Sequence, residues 1–365
     1  MAQPDQNSLP LITGGPPLLP AGNAVRHAGL RALSHRAMHW ESGLVVMVIA
    51  IAVLGEHASS QFLTGTDLFN LSLTSGEVAI MALPMTLIIV SGEIDLSVAS
   101  MLGLSSALLG FLWSKGWPML AIFAVIGIVG ALAGLLNGLL ITRLGLPSLA
   151  VTIGTLALYR GIATIVLGAN SVSDFPARYT NIGVFPVLHT GLPFSAVCFI
   201  VLAVIYGIVL HATPVGRSVY AMGNSADAAL FAGIRVKRIK TTLFVASGVI
   251  CSFAGALLTF RLSTSVQNNG LGLELEVVAI VLFAGVSIFG GKGTIVGVVL
   301  AVLAFAGLQY ALLLTSFNQE AFGIVVGALL LASVFIPNAA AILGRFTAAL
   351  RRRSARRPVR ERATP

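Results

Sequence analysis

Pro118 to Ile141 reads PMLAIFAVIGIVGALAGLLNGLLI and carries no charged side chain. A hydrocarbon core ~30 Å thick is crossed by about 20 apolar residues in a helix, and lipid offers no partner to an unpaired backbone amide. The stretch therefore predicts a membrane-spanning helix. Further apolar stretches share its character, at approximately 42–56, 74–91, 96–114, 147–168, 192–212, 241–262, 276–290, 294–314 and 319–337. The alternating polarity of a membrane β-barrel is absent. The expectation is an all-α, polytopic membrane helix bundle of about 10 transmembrane helices.

Composition agrees. Of 365 residues, 56% are hydrophobic and 10% charged, against roughly 25% charged in soluble domains. The 39 glycines suit a bundle in which small residues let helices approach closely. The net charge of +9 does not point to nucleic acid, because the cations sit at helix ends and in a tail without interleaved aromatics. With the amino terminus inside, 18 of the 22 Lys and Arg residues fall on the cytoplasmic side. They include Arg143, Arg217, Arg235, Lys237, Arg238, Lys240 and Lys292, whereas Lys115 and Arg178 lie outside, Arg261 at an outer helix end and Arg160 within a span. This bias predicts an even number of spans and two cytoplasmic termini. Residues 1–40 read as a flexible basic arm, 41–338 as the transmembrane domain and 339–365 as an Arg-rich tail held at anionic headgroups.

Two hairpins carry polar or Gly-rich breaks, Ser91 to Ser97 and Gly290 to Thr294. They read as cytoplasmic turns or as re-entrant segments, which would leave eight full spans. Glu93 and Asp95 form the only close acidic pair in this reading, near the inner surface, which leaves an ion-coupled carrier short of intramembrane acids. Pro84 predicts a kink in the second span, and Pro147 suits a first helical turn.

Several chemistries are absent. Gly290-Gly291-Lys292-Gly293 only imitates a phosphate loop, since Val286 stands where its first Gly belongs and Gly293 where Ser or Thr belongs. The chain is not expected to be an enzyme or to bind ATP, Mg or another cofactor. Cys198 and Cys251 are its only cysteines, both in apolar stretches, so neither a disulfide framework nor a thiolate metal site is expected. Arg160, mid-span, either bonds helix carbonyls inside the bundle or lies beside a solute path.

The longest cytoplasmic loop, 213–240, contains a second kind of signal. Ser225 reads as a helix N-cap, Asp227 favours the positive helix start and Gly233 fits the stop. A helix of about two turns is marginal in water and must pack against something. Ala228, Ala229, Leu230 and Phe231 read as its exposed face, offered to a cytoplasmic partner or to the bundle itself.

At these residues the chain resembles the permease subunits of bacterial ABC importers for monosaccharides, the ribose, xylose, arabinose, rhamnose and autoinducer-2 group. Leu83-Pro84-Met85-Thr86-Leu87, continuing through Ser91-Gly92-Glu93-Ile94-Asp95-Leu96-Ser97-Val98-Ala99-Ser100, is similar to that family's Gly-Met-Thr-Leu and Ser-Gly-Gly-Ile-Asp-Leu-Ser-Val-Gly-Ser, with Pro84, Glu93 and Ala99 in place of glycines. Asn137 to Ser148 and Gly154 to Gly161 follow its pattern, which makes Arg160 a family feature. The loop, Glu274 to Ala279 and Gly285 to Thr294 follow it too, with Asn224 for a usual Gly, Leu230 for a usual Arg, Glu276 for a usual Asp and Ala284 for a usual Gly.

The resemblance implies a coupling helix that rests on a separate ATP-hydrolysing subunit, carried here by Gly216, Arg217, Tyr220, Gly223, Asn224, Asp227, Ala228, Ala229, Leu230 and Gly233. It implies a second permease chain, identical or not, an extracytoplasmic sugar-binding protein, ATP and Mg on the partner subunit, and a place in the bacterial inner membrane. Gly92, Glu93, Asp95, Ser97, Glu274, Glu276, Gly290 and Gly291 are the expected gating residues. Asn137, Arg160, Asn170, Gln309 and Tyr310 are candidate pathway residues or helix-to-helix hydrogen bonders. The Ser-Gly-Glu-Ile-Asp departure inclines the substrate toward rhamnose or autoinducer-2. The rival readings are an ion-coupled secondary carrier and a membrane scaffold.

Overall fold

The computed structural model describes residues 40–57, 62, 64–187, 190–314, 322–333 and 335. The arm before Trp40 and the Arg-rich tail lie outside the described residues. The described chain is helical, with isolated bridges at Val172–Ser265 and Pro186–Pro193 and no named strand.

The helices are α1 (Trp40–His57), α2 (Gly65–Val90), α3 (Val98–Ser114), α4 (Met119–Thr142), α5 (Ser148–Leu167), α6 (Ala177–Val184) and α7 (Phe194–Ala212). Then come α8 (Pro214–Asn224), α9 (Ala226–Phe231), α10 (Val236–Leu262), α11 (Leu273–Phe283), α12 (Ile295–Leu314) and α13 (Phe322–Ser333). Seven of them, α1, α2, α4, α5, α7, α10 and α12, are long and apolar enough to cross a membrane, and α3 and α13 are shorter apolar helices.

The expected span 276–290 is not a spanning helix. Its helical part, α11, has 11 residues, ~16 Å at 1.5 Å per residue. Beyond it Gly285, Gly290, Gly291 and Gly293 all take positive φ, which breaks the helix while leaving the apolar composition intact. α2 continues through Pro84 to Val90.

Most of α2 and α10 is buried, whereas α1 and α7 expose most of their surface. From Gly76 to Val90 every α2 residue is buried, the pattern of a helix enclosed on all sides. α10 lies across α4 at backbone contact. A Cβ on Gly134 would sit 2.2 Å from the Phe244 carbonyl oxygen, and one on Gly248 2.0 Å from that of Gly130. Gly130, Gly134 and Gly138 recur every fourth residue, the small-residue stripe that permits such an approach.

One end of the bundle gathers five stretches of chain. The Trp40 indole donates to the Phe283 carbonyl at 3.1 Å, and the Thr294 hydroxyl to Glu41 at 2.6 Å. The Ile94 amide donates to the Ser148 hydroxyl at 3.2 Å, and Thr142 and Thr241 hydroxyls meet at 3.0 Å. So the start of α1, the 91–97 turn, the α4–α5 connection, the 213–240 loop and the 284–294 turn share this end. Arg143, Lys237 and Lys292 lie there, while Lys115 and Arg178 follow helices that run to the other end.

Candidate functional site

The loop between α7 and α10 is two helices. α8 opens with Thr213 as N-cap and Pro214 in its first turn, and α9 with the Ser225 hydroxyl accepting from the Ala228 amide at 3.2 Å. Gly233, at φ +81°, ends the segment. The N-cap and stop expected from sequence are thus in place, but α8 had not been read as a helix. Thr213 and Pro214 were its signal.

α8 is wedged into the bundle end. A Cβ on Gly216 would sit 1.9 Å from the Leu210 carbonyl oxygen, and one on Gly223 1.9 Å from that of Val90 and 2.5 Å from the Gly291 amide nitrogen. The same Val90 carbonyl accepts from Gly291 at 2.8 Å. Thus Gly223 touches both helix breaks at once. The Tyr220 hydroxyl donates to the Gly293 carbonyl at 2.6 Å, and burial pushes the phenol up to about 12. Asn224 folds back, its amide donating to the Tyr220 carbonyl at 2.8 Å. Lys240, at the start of α10, closes an ion pair with Glu93.

α9 faces outward. Leu230 is 60% and Phe231 90% exposed, and Asp227, Ala228 and Arg217 are also exposed. Ala229, expected on that outer face, is buried; a helix of six residues must turn one side onto the bundle to persist.

Behind the first break lies a closed polar network. Asp95 and Ser97 are fully buried, and Asp95 Oδ1 accepts from the Ser97 amide at 3.0 Å and hydroxyl at 2.6 Å. Ser247 of α10 donates to Oδ2 at 3.3 Å. Asn137 of α4 donates to Ser97 at 2.8 Å and accepts from Tyr159 of α5 at 3.2 Å. Four elements therefore join one network around a carboxylate that, among the described residues, pairs with no cation. Asn137 here ties helices together.

The remaining sequence candidates part company. Asn170 is exposed and bonds the Leu167 carbonyl. Tyr310 bonds Asp67 near the other end of α2, with Gln309 beside it in the chain. Glu274 and Glu276 stand in the first turn of α11, a helix length away from Gly290 and Gly291. Glu77, which was not among the sequence candidates, is buried inside α2 and paired with Arg261 of α10 at 3.0 Å. Sequence distance hid this pair.

Arg160 donates to the Asn269 carbonyl at 2.9 Å and the Gln267 carbonyl at 3.3 Å. It bonds backbone carbonyls, as one of the two readings had it, but those of a non-helical stretch. Among the described residues no group of His, Cys, Asp and Glu comes together to hold a metal ion. A cavity of about 430 Å³ between α4, α6 and α10 is lined by Phe123, Tyr179, Phe253 and Phe260 and is apolar, unsuited to a hydroxyl-rich solute.

The chain belongs to a permease family. Residues 68–334 match the family model described as branched-chain amino acid transport system / permease component. It is 34% identical over 296 residues to the ribose import permease protein RbsC of Bacillus subtilis (strain 168), covering 80% of this chain and 90% of the relative. It is 31% identical over 306 residues to the autoinducer 2 import system permease protein LsrD of Photorhabdus luminescens, covering 81% and 90%. The LsrD of Yersinia enterocolitica serotype O:8 is also 31% identical, covering 81% and 91%. These comparisons bear out the resemblance to permease subunits of monosaccharide ABC importers. No solved structure matches the chain.

Proposed function

We propose that this chain is the membrane-spanning subunit of an ABC importer that carries a monosaccharide or related small polyol across the bacterial inner membrane, driven by ATP hydrolysis on a separate subunit. The wedging of Gly223 between the Val90 and Gly290–Gly291 breaks carries this reading. Packed backbone without intervening side chains leaves little compliance, so a push on the exposed face of α9 reaches the ends of α2 and α11 as rigid-body displacement. The cation-rich end, with Arg143, Lys237 and Lys292, is then the cytoplasmic side. A second permease chain, an ATPase with its ATP and Mg, and an extracytoplasmic sugar-binding protein complete the assembly. Relatives named for ribose and for autoinducer 2 match at similar identity, and the Ser91-Gly92-Glu93-Ile94-Asp95 departure inclines the substrate toward rhamnose or autoinducer-2.

The test is reconstitution in liposomes. Uptake that needs the ATPase subunit and ATP supports the proposal. Uptake by the purified chain alone under a proton or sodium gradient would instead establish an ion-coupled carrier, and no flux with any ATPase partner a scaffold.

A further inference from the structure

Between α10 and α11 the chain leaves helical geometry inside the bundle. Ser265 donates to the Ser106 carbonyl at 2.7 Å and lies against Gly110, Asn269 lies against Gly103, and Gly270 against Leu102 and the Ala99 carbonyl. Read along α3, the stretch from Ser265 to Gly270 descends to the level of Leu102, ~18 Å below Ser114 at 1.5 Å per helical residue. Non-helical backbone at such depth persists where protein or a water-filled path satisfies it. Protein satisfies part of it: Asn269 donates to Ser106 at 2.8 Å and to the Thr264 carbonyl at 3.1 Å, and Arg160 takes the carbonyls of Gln267 and Asn269.

Three side-chain atoms in this place are buried and have no partner among the described residues: Arg160 Nε, Gln267 Oε1 and Glu274 Oε2. Arg160 feels the charge of Glu274, yet the ion pairs formed among the described residues are Lys240–Glu93 and Arg261–Glu77. Among the described residues no ion pair joins this guanidinium to the carboxylate. α11 starts beside them with Gly272 at its N-cap position and no side-chain cap, its Leu273 amide donating to the Gly270 carbonyl at 3.3 Å. A buried donor and two buried acceptors left unmade are costly unless something visits them.

We propose that Arg160, Gln267 and Glu274, with the broken backbone from Gln267 to Gly272, form a hydroxyl-binding subsite for a neutral polyol within the translocation path. The guanidinium Nε–H donates to one oxygen of the solute, and Gln267 Oε1 and Glu274 Oε2 accept from neighbouring hydroxyl hydrogens. Both functions of a vicinal diol are met, with no net charge demanded of the solute. Helices interrupted at mid-membrane are suited to such binding because their free backbone groups face the path. This inference rests on the transport reading, but its test separates the two.

In a chain with Cys198→Ser and Cys251→Ala, Gln267→Cys is placed in liposomes and treated with a membrane-impermeant methanethiosulfonate, with D-ribose, L-rhamnose, D-xylose or L-leucine present. Labelling slowed by at least one of the sugars and not by leucine is the expected result. No labelling from either side of the membrane, no protection by any sugar, or protection by leucine alone overturns the subsite. In the whole transporter, Glu274→Ala should raise the KM for uptake about tenfold or more, the value of one lost hydrogen bond to a charged group, with unchanged membrane amounts. An unchanged KM overturns the subsite while leaving ATP-driven transport standing; failure of the wild-type assembly to take up solute with ATP defeats the transport reading, whatever the labelling shows.

Discussion

Gly223 of α8 lies against the carbonyl of Val90, the last residue of α2, so closely that a single added carbon would fall 1.9 Å from the oxygen. That oxygen already holds the Gly291 amide at 2.8 Å. The obstruction is backbone, which cannot rotate away. Gly223→Ala is therefore expected to part α8 from both breaks at a cost of about 1–3 kcal/mol. Thermal unfolding in detergent reads the cost, and uptake should fall further than stability does.

Arg261 and Glu77 join α10 to α2 where Glu77 is 1% exposed. Removing one partner strands the other charge in the bundle. Arg261→Ala is expected to destabilise by about 3–5 kcal/mol, and Arg261→Met with Glu77→Leu to recover most of it. An Arg261→Ala protein that unfolds at the wild-type temperature would contradict this.

Lys240 and Glu93 are largely buried as a pair and tie α10 to the first break. Lys240→Ala is expected to cost about 1–2 kcal/mol, between the exposed and buried limits. The exchange Glu93→Lys with Lys240→Glu should restore uptake, which a merely steric role for either side chain would not allow.

Tyr220 holds the Gly293 carbonyl with a phenol raised by burial from 10.0 to about 12. Because the folded protein binds this proton more tightly than the unfolded chain, the contribution is whole below about pH 10 and is lost as pH rises toward about 12. Tyr220→Phe should remove that alkaline loss from the pH profile of thermal unfolding. It should leave uptake flat in its dependence on this group from pH 6 to 9.

Seven of the expected spans were legible because hydropathy follows from lipid exposure, and both Ser225 and Gly233 because capping is local chemistry within a few residues. α11 was not legible. Its apolar run from Val277 to Phe289 reads the same whether the backbone spans or breaks, and what decides is the contact of Gly290 with Gly223 and Gly92, set by tertiary packing. Arg160 was found from its cost in lipid, but its partners were not, since the carbonyls of Gln267 and Asn269 look like any loop before that loop is seen to descend beside α3. Ala229 was read as exposed together with Ala228, Leu230 and Phe231; a six-residue helix lying on the bundle buries whichever small residue faces inward.

The most direct measurement replaces Asp227 to Gly233 by a Gly-Ser linker and follows ATP-dependent uptake by the reconstituted transporter, with membrane insertion monitored in parallel. The expected result is loss of uptake with insertion and thermal stability of the bundle retained, because the lever is gone while α2, α4 and α10 still pack. Retained ATP-dependent uptake would contradict the transmission of force through this segment.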